Sequence, residues 1–312
     1  MSNEFSTFYQ SLDVDSAKRG KQFEHFVKWF LKNDPEWQTQ VDQVWLWKDW
    51  LPHWGPDCGI DLVFRHKNGD TWAVQAKCYS PDYDITKHDV DKFLSESNRP
   101  LIQHRLLIAT TDGIGSNAKQ VCDAQDKPVI RFLLSDFEKS ALDYPANFAL
   151  LPQAKRKPRP TPKEHQLEAI EAVVDALKTA DRGQLIMACG TGKTYTTLWI
   201  KERLVTQQAS NLTAVRAEHV EAQESTHIST GAMRTDSGTN TAESIGATRT
   251  LVLLPSLGLL AQTLREWTFA AATPFEVLCV CSDQTVGSKG SDEAIHSVAD
   301  LAFPVTSDAE EV

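Results

Sequence analysis

The chain has 312 residues, 41% of them hydrophobic and 24% charged, which is an ordinary globular composition at a length that favours two domains. No apolar run approaches the ~18 residues of a membrane span, and the first residues lack the basic and apolar regions of a secretory signal. The six cysteines contain no Cys-x-x-Cys pair, which argues against a zinc site or a disulfide framework. We therefore expect a cytoplasmic protein without a membrane partner.

The net charge of −10 counts mildly against a nucleic-acid-binding surface, because such surfaces usually carry an excess of basic residues. A local basic stripe can nevertheless bind phosphate on an acidic protein. One candidate stripe is the cluster Lys155, Arg156, Lys157, Arg159 and Lys163, for which a merely solvated linker is an equally good interpretation.

Residues 1–150 form the first predicted domain, and seven of the nine tryptophans lie before position 73. Apolar spacing in "SAKRGKQFEHFVKWFLKN" predicts a helix with Ser16 as its cap. Strands are predicted at "QVWLW", "IDLVF", "TWAVQAK", "HRLLIATT" and "PVIRFLL", and further helices at "ITKHDVDKFLSES" and "SNAKQVCDAQ". The resulting order, α-β-β-β-α-β-α-β, indicates a compact α/β sandwich.

A basic linker spans residues 151–163, and its four prolines favour an extended chain. In the second predicted domain, 164–312, a helix is predicted in "KEHQLEAIEAVVDALKTA", followed by a strand, a glycine loop and a helix in "GQLIMACGTGKTYTTLWIKERLV". A strand "TLVLLPS", a helix "LGLLAQTLREWTFA" and a strand "FEVLCVCS" come later. Residues 206–249 contain no Phe, Trp or Tyr and are predicted to be a disordered or loosely helical insertion.

The motif "ACGTGKT" follows a predicted strand and opens a predicted helix, which is the context of a Walker A phosphate-binding loop. Gly190 and Gly192 would let the backbone wrap phosphates with its N–H groups. Lys193 would contact the β- and γ-phosphates of ATP, and Thr194 would hold Mg²⁺. The loop departs from the usual pattern at Met187, which stands where the first glycine is expected.

This motif resembles motif I of superfamily 2 helicases, in particular those of restriction systems. Gln166 in "TPKEHQLEAI", 27 residues before Lys193, resembles the glutamine that reads adenine in these helicases. The segment "LVLLPSLGLLAQTLREW" resembles motif Ia, which contacts a DNA strand. The resemblance implies an ATP-binding, RecA-like parallel-sheet domain whose nucleotide-binding residues are Gln166, Ala188, Cys189, Gly190, Thr191, Gly192, Lys193 and Thr194.

The downstream sequence departs from that of a working helicase motor. The pair Asp292-Glu293 resembles motif II with one residue too many, and no apolar strand precedes it, so we do not assign it that role. A second RecA-like domain is also expected in a motor, and the chain ends too early for one. We therefore expect a truncated, partial RecA-like domain that binds nucleotide but does not hydrolyse ATP or translocate by itself.

A second candidate site lies in the hairpin "GIDLVFRHKNGDTWAVQAK". Hydrolysis of DNA uses carboxylates that hold Mg²⁺, which activates water, and a lysine that stabilises the charged phosphate. Asp61, Gln75 and Lys77 suit these roles, with Asp61 and Gln75 as metal ligands. Gln75 lacks charge and binds a metal only weakly through its carbonyl, so the alternative is that it only positions water. Gln75 and Lys77 face one side because they are two residues apart. A two-residue turn at Asn68-Gly69 would set Asp61 opposite Ala76, on the other face, so an odd-length loop or a bulge is predicted.

The order of these residues resembles the Mrr-like branch of the PD-(D/E)xK nucleases, in which glutamine replaces the second acid. The segments "DCGIDLVF" and "VQAKCY" resemble Mrr motifs, and Glu24 in "RGKQFEHFV" resembles the acid on that family's first helix. The resemblance covers roughly residues 15–135 and implies catalytic roles for Asp61, Gln75, Lys77 and Glu24. For Glu24 a plain solvent-facing acid is the alternative, and Asp57 is either a second ligand or a loop acid.

The nuclease-like domain, the basic linker and the start of a helicase together resemble the N-terminal part of single-chain Type ISP restriction-modification enzymes. The resemblance implies a Mg²⁺-dependent DNA endonuclease of host defence, joined to an incomplete ATP-binding helicase domain, with double-stranded DNA as its partner. It also implies remaining helicase, methyltransferase and target-recognition domains that this chain lacks. Two alternatives stay open: a repair or defence helicase fragment whose nuclease-like domain only binds DNA, and an inactive remnant of a truncated gene.

Overall fold

The described residues of a computed structural model, which are 4–56, 59–180, 182–206, 250–280, 301 and 305–306, form two compact units. The first unit comprises the described residues up to 159, residues 254–269 and those after 272. The second comprises the described residues from 160 to 253 together with 270–272. The change of unit at residue 159 falls inside the predicted linker, and segment 254–269 is grouped with the first unit.

The first unit is built on a five-stranded mixed sheet with the strand order β1-β2-β3-β4-β5. The strands are β1 (Val41–Leu46), β2 (Leu62–His66), β3 (Thr71–Lys77), β4 (His104–Ala109) and β5 (Val129–Phe132). The first three strands pair antiparallel, whereas β3–β4 and β4–β5 pair parallel. Each parallel connection contains a helix, as a crossover requires.

Five helices accompany this sheet: α1 (Glu4–Gln10), α2 (Ser16–Asn33), α3 (Lys87–Glu96), α4 (Ser116–Asp123) and α5 (Leu134–Lys139). The α/β class and the predicted element order are confirmed, and α2 and β3 have the predicted bounds. Helices α1 and α5 were not predicted. They span only 7 and 6 residues, which is too short for helical periodicity to stand out from the sequence.

Helices cover both faces of the sheet, so the strands are buried on both sides. Leu62 and Phe64 of β2 pack into one apolar cluster with α1, α2 and α5, whereas Val63 between them packs into a second cluster with α3 and α4. This division follows the two-residue alternation of a strand. It also explains why the strands read as nearly continuous apolar runs rather than as alternating ones.

The N-terminus of α2 corrects one expectation from the sequence. Asp15, and not Ser16, is the cap: its backbone is extended and its side chain accepts a hydrogen bond from the Lys18 N–H at 3.0 Å. Ser16 is the first residue of the helix itself. Both residue types are good caps, and the choice between neighbours depends on the backbone angles, which the sequence alone does not reveal.

The second unit contains α6 (Glu164–Ala176) and a helix at 193–206, here α7, joined by an irregular segment and the glycine loop. The predicted strands at 183–189 and 250–254 are wrong, because neither segment is a strand among the described residues. Ile186, Leu251 and Leu253 are instead 88%, 84% and 83% exposed. A strand needs hydrogen-bonding neighbours, and none is paired with these segments in the described part of the chain.

The remaining predicted elements have mixed outcomes. Helix α8 (Leu257–Ala270) has the predicted bounds. Of the predicted strand "FEVLCVCS", residues 275–278 are not a strand, Cys279–Val280 form β8, paired with β9 (Val305–Thr306), and 281–282 lie outside the described residues. The insertion predicted at 206–249 lies outside the described residues, apart from Thr206, and so does the Asp292-Glu293 pair.

The linker is not extended at its start, because residues 151–153 belong to a 3-10 helix, Phe148–Gln153. Beyond that helix the chain is extended at Lys155–Arg156, and there it is also paired. Lys155–Arg156 form β7, which is antiparallel to β6 (Leu142–Asp143), and Lys157 forms an ion pair with Glu4 at 3.4 Å. The basic cluster is therefore partly fixed against the first unit. Where the chain is described, no helix combines the length and the apolar character needed to cross a membrane.

We predict that Asp15→Ala lowers the free energy of unfolding by about 1 kcal/mol, because one N–H at the start of α2 loses its acceptor. Ser16→Ala is the matched control and should change that free energy by less than about 0.5 kcal/mol. Urea denaturation followed by circular dichroism measures both variants. Equal losses in the two variants would contradict the assignment of Asp15 as the cap.

Candidate active site

The length of the loop between β2 and β3 decides which side chains of the two strands lie opposite each other. His66 and Asp70 close it, with the His66 N–H donating to the Asp70 carbonyl at 2.8 Å, so the loop consists of three residues, 67–69. Gly69 has φ of +101°, a conformation that favours glycine. Leu62 pairs with Val74, and one further step in this register sets Asp61 opposite Gln75. The predicted odd-length loop is therefore confirmed.

Asp61 lies immediately before β2 and is tied to both neighbouring strands. Its N–H donates to the Val74 carbonyl at 3.0 Å, and its carbonyl accepts from the Trp47 N–H at 2.9 Å. One oxygen of its carboxyl group accepts a hydrogen bond from the Ala76 N–H at 2.8 Å. The backbone and the side chain are thus both held, which fixes where the second carboxyl oxygen lies.

Charge and burial act together on this carboxyl group. Burial raises the pKa of Asp61 to about 7, and the Glu24 carboxylate adds to the rise. The Ala76 N–H and the ammonium groups of Lys77 and Lys21 lower the same pKa without offsetting the burial. Three residues predicted for the site, Asp61, Glu24 and Lys77, therefore lie close enough to affect one another electrostatically.

Gln75 is 3% exposed, and only one of the two polar atoms of its side-chain amide has a hydrogen-bond partner among the described residues. Its Nε2 donates to the Gly59 carbonyl at 3.1 Å, whereas its Oε1 is buried without a hydrogen-bond partner among the described residues. Buried polar atoms are normally satisfied, and an exception calls for an ion or a water that completes it. An amide oxygen is a ligand type that hard divalent cations accept.

Lys77 and Glu24 complete the group from two different elements. Lys77 ends β3, and its Nζ lies 5.9 Å from the centre of the Tyr79 ring. Glu24 belongs to α2 and forms an ion pair with Lys21 at 2.9 Å. The Glu24 side chain is only 14% exposed, against 74% for Lys21, so a purely solvent-facing acid is a poor description of Glu24.

A divalent cation fits this donor set. Asp61 and Gln75 supply two oxygen donors and Glu24 a second carboxylate nearby, which suits a hard cation that keeps several waters. Across the described residues no cluster of three or more His, Cys, Asp or Glu side chains is arranged to hold a metal. The alternative ligand Asp57 lies outside the described residues.

Sequence reasoning missed Tyr79 and Asp89. Tyr79 is two residues beyond Lys77, so the alternation Gln75, Lys77, Tyr79 was a signal that could have marked it. Asp89 lies on α3, and its Oδ1 accepts a hydrogen bond from the Tyr79 hydroxyl at 2.7 Å. No sequence spacing relates Asp89 to the hairpin, because only the packing of α3 brings them together.

The glycine loop of the second unit adopts the conformation that its glycines allow. Gly190 and Gly192 have φ of +75° and +79°, a region that other residues rarely adopt. A Cβ atom on Gly192 would lie 2.5 Å from Nε2 of Gln166. Gly192 is therefore favoured by its backbone angle, and a side chain at this position would also displace the end of the glutamine.

Gln166 is brought to the loop, as the resemblance implied, although it lies 25 residues earlier than Thr191. It is 5% exposed, and its Nε2 donates to the carbonyls of Thr191 and Gly192 at 3.1 and 3.3 Å. Its Oε1 accepts from the Lys163 N–H at 2.9 Å at the start of α6. The same side chain thus caps a helix and braces the loop.

Lys193 folds back over the loop that precedes it. Its Nζ donates to the carbonyls of Met187 and Ala188 at 3.3 and 3.1 Å. Thr194 follows in α7, and Cys189 is an exposed free thiol. An open pocket beside the loop is lined by His165, Glu168, Ala169, Leu185, Ile186, Met187, Ala188 and Thr191.

Two family models match successive parts of the chain. Residues 32–152 match the model of a restriction endonuclease family, and residues 159–297 match that of the Type III restriction enzyme res subunit. The first match begins inside α2, after Glu24. No curated protein sequence matches the chain.

Three solved structures are similar to different extents. The ATP-dependent Type ISP restriction-modification enzyme LlaBIII bound to DNA matches over 100% of this chain with 26% identity and a TM-score of 0.70. The DNA modification-dependent restriction endonuclease AspBHI matches over 27% of this chain and 19% of its own, with 19% identity and a TM-score of 0.20. The MspJI restriction endonuclease in complex with a 27-mer oligonucleotide matches over 38% and 26%, with 18% identity and a TM-score of 0.23. The last two similarities are too low to support an argument.

This chain spans 17% of the length of the LlaBIII chain. In this chain the restriction-endonuclease match precedes the res-subunit match, which is the order that the sequence motifs implied. The chain carries a restriction-endonuclease domain followed by a helicase-like domain, and it resembles a Type ISP restriction enzyme.

Proposed function

We propose that the first unit cleaves double-stranded DNA with Mg²⁺ as its cofactor, and that the second unit binds ATP, within a restriction enzyme of host defence. The observation that carries the nuclease part is that one hairpin brings together three groups. They are the partly buried Asp61 carboxyl, the Lys77 ammonium, and the Gln75 Oε1, which has no hydrogen-bond partner among the described residues. The Gln75 Oε1 accepts no hydrogen bond from the described residues, although it lies beside the Asp61 carboxyl. A purely structural hairpin has little use for such an atom, because an unsatisfied buried oxygen destabilises the fold.

In this proposal Asp61 and Gln75 hold the cation, and Glu24 is a second carboxylate that orients water. A bound Mg²⁺ would supply Lewis-acid stabilisation of the phosphate and lower the pKa of a coordinated water. Lys77 offsets the negative charge that develops on the phosphate in the transition state. Asp61 is also kept in position by its bond from the Ala76 N–H, so the donor atoms are arranged before substrate arrives.

For the second unit we propose that the N–H groups around Gly190 and Gly192 bind the phosphates of ATP. Lys193 would exchange its two carbonyl partners for the β- and γ-phosphates, Thr194 would bind the Mg²⁺ of the nucleotide, and Gln166 would read the adenine from the edge of the loop. The pocket beside residues 185–191 supplies the space for the base. Ala188, Cys189 and Thr191 contribute backbone groups to the same loop.

The partner that fits both units is double-stranded DNA, and the LlaBIII structure named above contains DNA. Further helicase, methyltransferase and target-recognition domains are proposed as parts of the complete enzyme. A reducing cytoplasm is the proposed compartment, in keeping with the free cysteines Cys78, Cys122, Cys189 and Cys279.

Asp61→Ala should abolish Mg²⁺-dependent cleavage of duplex DNA. The loss should be at least ~100-fold, because a direct ligand matters more than an outer-shell partner, whose removal typically costs 10- to 100-fold. Conversion of supercoiled plasmid to open-circular and linear forms measures it. Glu138→Ala, which removes an exposed carboxylate on α5, is the control and should cleave normally. Cleavage that survives Asp61→Ala would rule out the nuclease site, leaving a domain that only binds DNA.

The two substitutions Gln75→Glu and Gln75→Met separate ligand chemistry from shape. Gln75→Glu should keep cleavage and reduce the Mg²⁺ concentration for half-maximal rate, because a carboxylate binds Mg²⁺ better than an amide oxygen. Gln75→Met keeps the size but lacks the oxygen, and should raise that concentration roughly tenfold. An unchanged Mg²⁺ requirement in both variants would remove Gln75 from the ligand set.

Lys193→Ala should weaken binding of MgATP roughly 10- to 100-fold, which corresponds to the loss of one charge-assisted hydrogen bond. Displacement of a fluorescent ATP analogue measures the affinity. Lys178→Ala is the matched control, since Lys178 is an exposed lysine of the same unit whose ion pair is local, with Asp175 at 2.6 Å. Equal affinity of Lys193→Ala and wild type for MgATP would contradict the phosphate-binding assignment.

A further inference from the structure

Tyr79 lies directly after the strand that carries Gln75 and Lys77. Its ring faces the end of the Lys77 side chain, with Nζ 5.9 Å from the ring centre. This is within the ~6 Å over which a cation is attracted to the face of an aromatic ring. The charge of Asp61 also contributes to the raised pKa of the Tyr79 hydroxyl, after burial and Asp89. Tyr79 is therefore a neighbour of both residues.

Tyr79 is held by hydrogen bonds both at its side-chain hydroxyl and at its backbone carbonyl. Its hydroxyl donates to Asp89 at 2.7 Å. Its carbonyl accepts from the Tyr9 hydroxyl at 2.9 Å and from the Thr110 hydroxyl at 2.6 Å. The ring consequently has one orientation, set by α1, α3 and the end of β4.

Asp89 is itself fixed by a capping box at the start of α3. Its Oδ2 accepts from the Thr86 N–H at 2.8 Å and from the Thr86 hydroxyl at 2.7 Å, and the Tyr83 hydroxyl donates to it at 2.9 Å. Burial opposes ionisation, but the hydrogen bonds from Thr86, Tyr79 and Tyr83 outweigh it and lower the pKa of Asp89 to about 2. Asp89 therefore remains an ionised acceptor for the Tyr79 hydroxyl at neutral pH.

We propose that Tyr79 is a positioning residue that keeps the Lys77 ammonium directed toward the phosphate bound at the cation of Asp61 and Gln75, and that Asp89 is the anchor that fixes the Tyr79 ring. The inference rests on the proposed nuclease function. A lysine side chain has a flexible four-carbon stem, and an aromatic face on one side restricts the positions its charge samples. The restricted ammonium stabilises the transition state more than the ground state, because the negative charge on the phosphate is then largest.

The first test compares Tyr79→Leu, Tyr79→Phe and Tyr83→Phe in DNA cleavage. Tyr79→Leu removes the ring and should lower kcat roughly tenfold, a value between those of an exposed and a desolvated cation–π contact, with little change in KM. Tyr79→Phe keeps the ring but loses the anchor, and should show a smaller loss. Tyr83→Phe, the matched control, loses a hydroxyl on the same Asp89 carboxylate without a ring at Lys77, and should cleave as wild type does. A loss in Tyr83→Phe equal to that in Tyr79→Phe would overturn the proposal.

The second test asks whether Tyr79 acts through Lys77. In a double-mutant cycle, Tyr79→Leu should cause no further loss when Lys77 is already replaced by Ala. A purely structural role would lower the residual activity of Lys77→Ala by the same factor as that of wild type. That additive outcome would contradict the proposal, even if Asp61-dependent cleavage is fully established.

A third readout does not depend on cleavage, so it separates failure of this inference from failure of the proposed function. Lysines are reductively methylated with ¹³C-formaldehyde, and the Lys77 signal is identified by its absence in Lys77→Arg. In wild type the ring of Tyr79 should shift this signal upfield, and Tyr79→Leu should abolish that shift while Tyr83→Phe keeps it. An unshifted Lys77 signal in wild type would overturn the positioning role, whether or not the protein cleaves DNA.

Discussion

The three-residue loop at 67–69 is the constraint on which the hairpin depends. Side chains on a strand alternate with a period of two, so a loop shorter or longer by one residue would turn every side chain of β3 to the other face. With three residues, Val63 and Ala73 are partners and pack in one apolar cluster, while Phe64 and Trp72 are partners in the other. The same register brings Asp61 level with Gln75. The number of residues in this loop therefore decides both how the core packs and which side chains meet in the candidate site.

Burial then gives the hairpin its chemical character. Because helices cover both faces of the sheet, the Asp61 carboxyl and the Gln75 amide are largely removed from water, and each needs a partner that the fold only partly provides. The Asp61 carboxyl accepts a hydrogen bond from one N–H and is stabilised electrostatically by two ammonium groups. The Gln75 Oε1 accepts no hydrogen bond from the described residues. A cation would satisfy both at once. This local demand for positive charge also explains how a protein with a net charge of −10 can have a site suited to phosphate.

The second unit shows the difference between local and non-local structure. The glycine loop and the helices on either side of it form from nearby residues, and the loop glycines adopt positive φ as their motif requires. The apolar segments around Ile186 and Leu253 have strand-like composition but are exposed and unpaired among the described residues. A helix satisfies its backbone hydrogen bonds internally, whereas a strand depends on a neighbour. Sequence patterns therefore predicted the helices of this unit well and its strands poorly.

Patterns within the chain were sufficient for the class of the fold, the bounds of α2, β3 and α8, the odd-length hairpin loop and the candidate residues Glu24, Asp61, Gln75 and Lys77. These features follow from periodicity, from turn chemistry and from motif resemblance, all of which are local in sequence. Four features arise from the tertiary structure alone. They are the cap at Asp15, the Oε1 of Gln75 that has no partner among the described residues, the double role of Gln166, and the support of Lys77 by Tyr79 and Asp89. They depend on which buried atoms meet across elements, and no spacing along the chain encodes those distances.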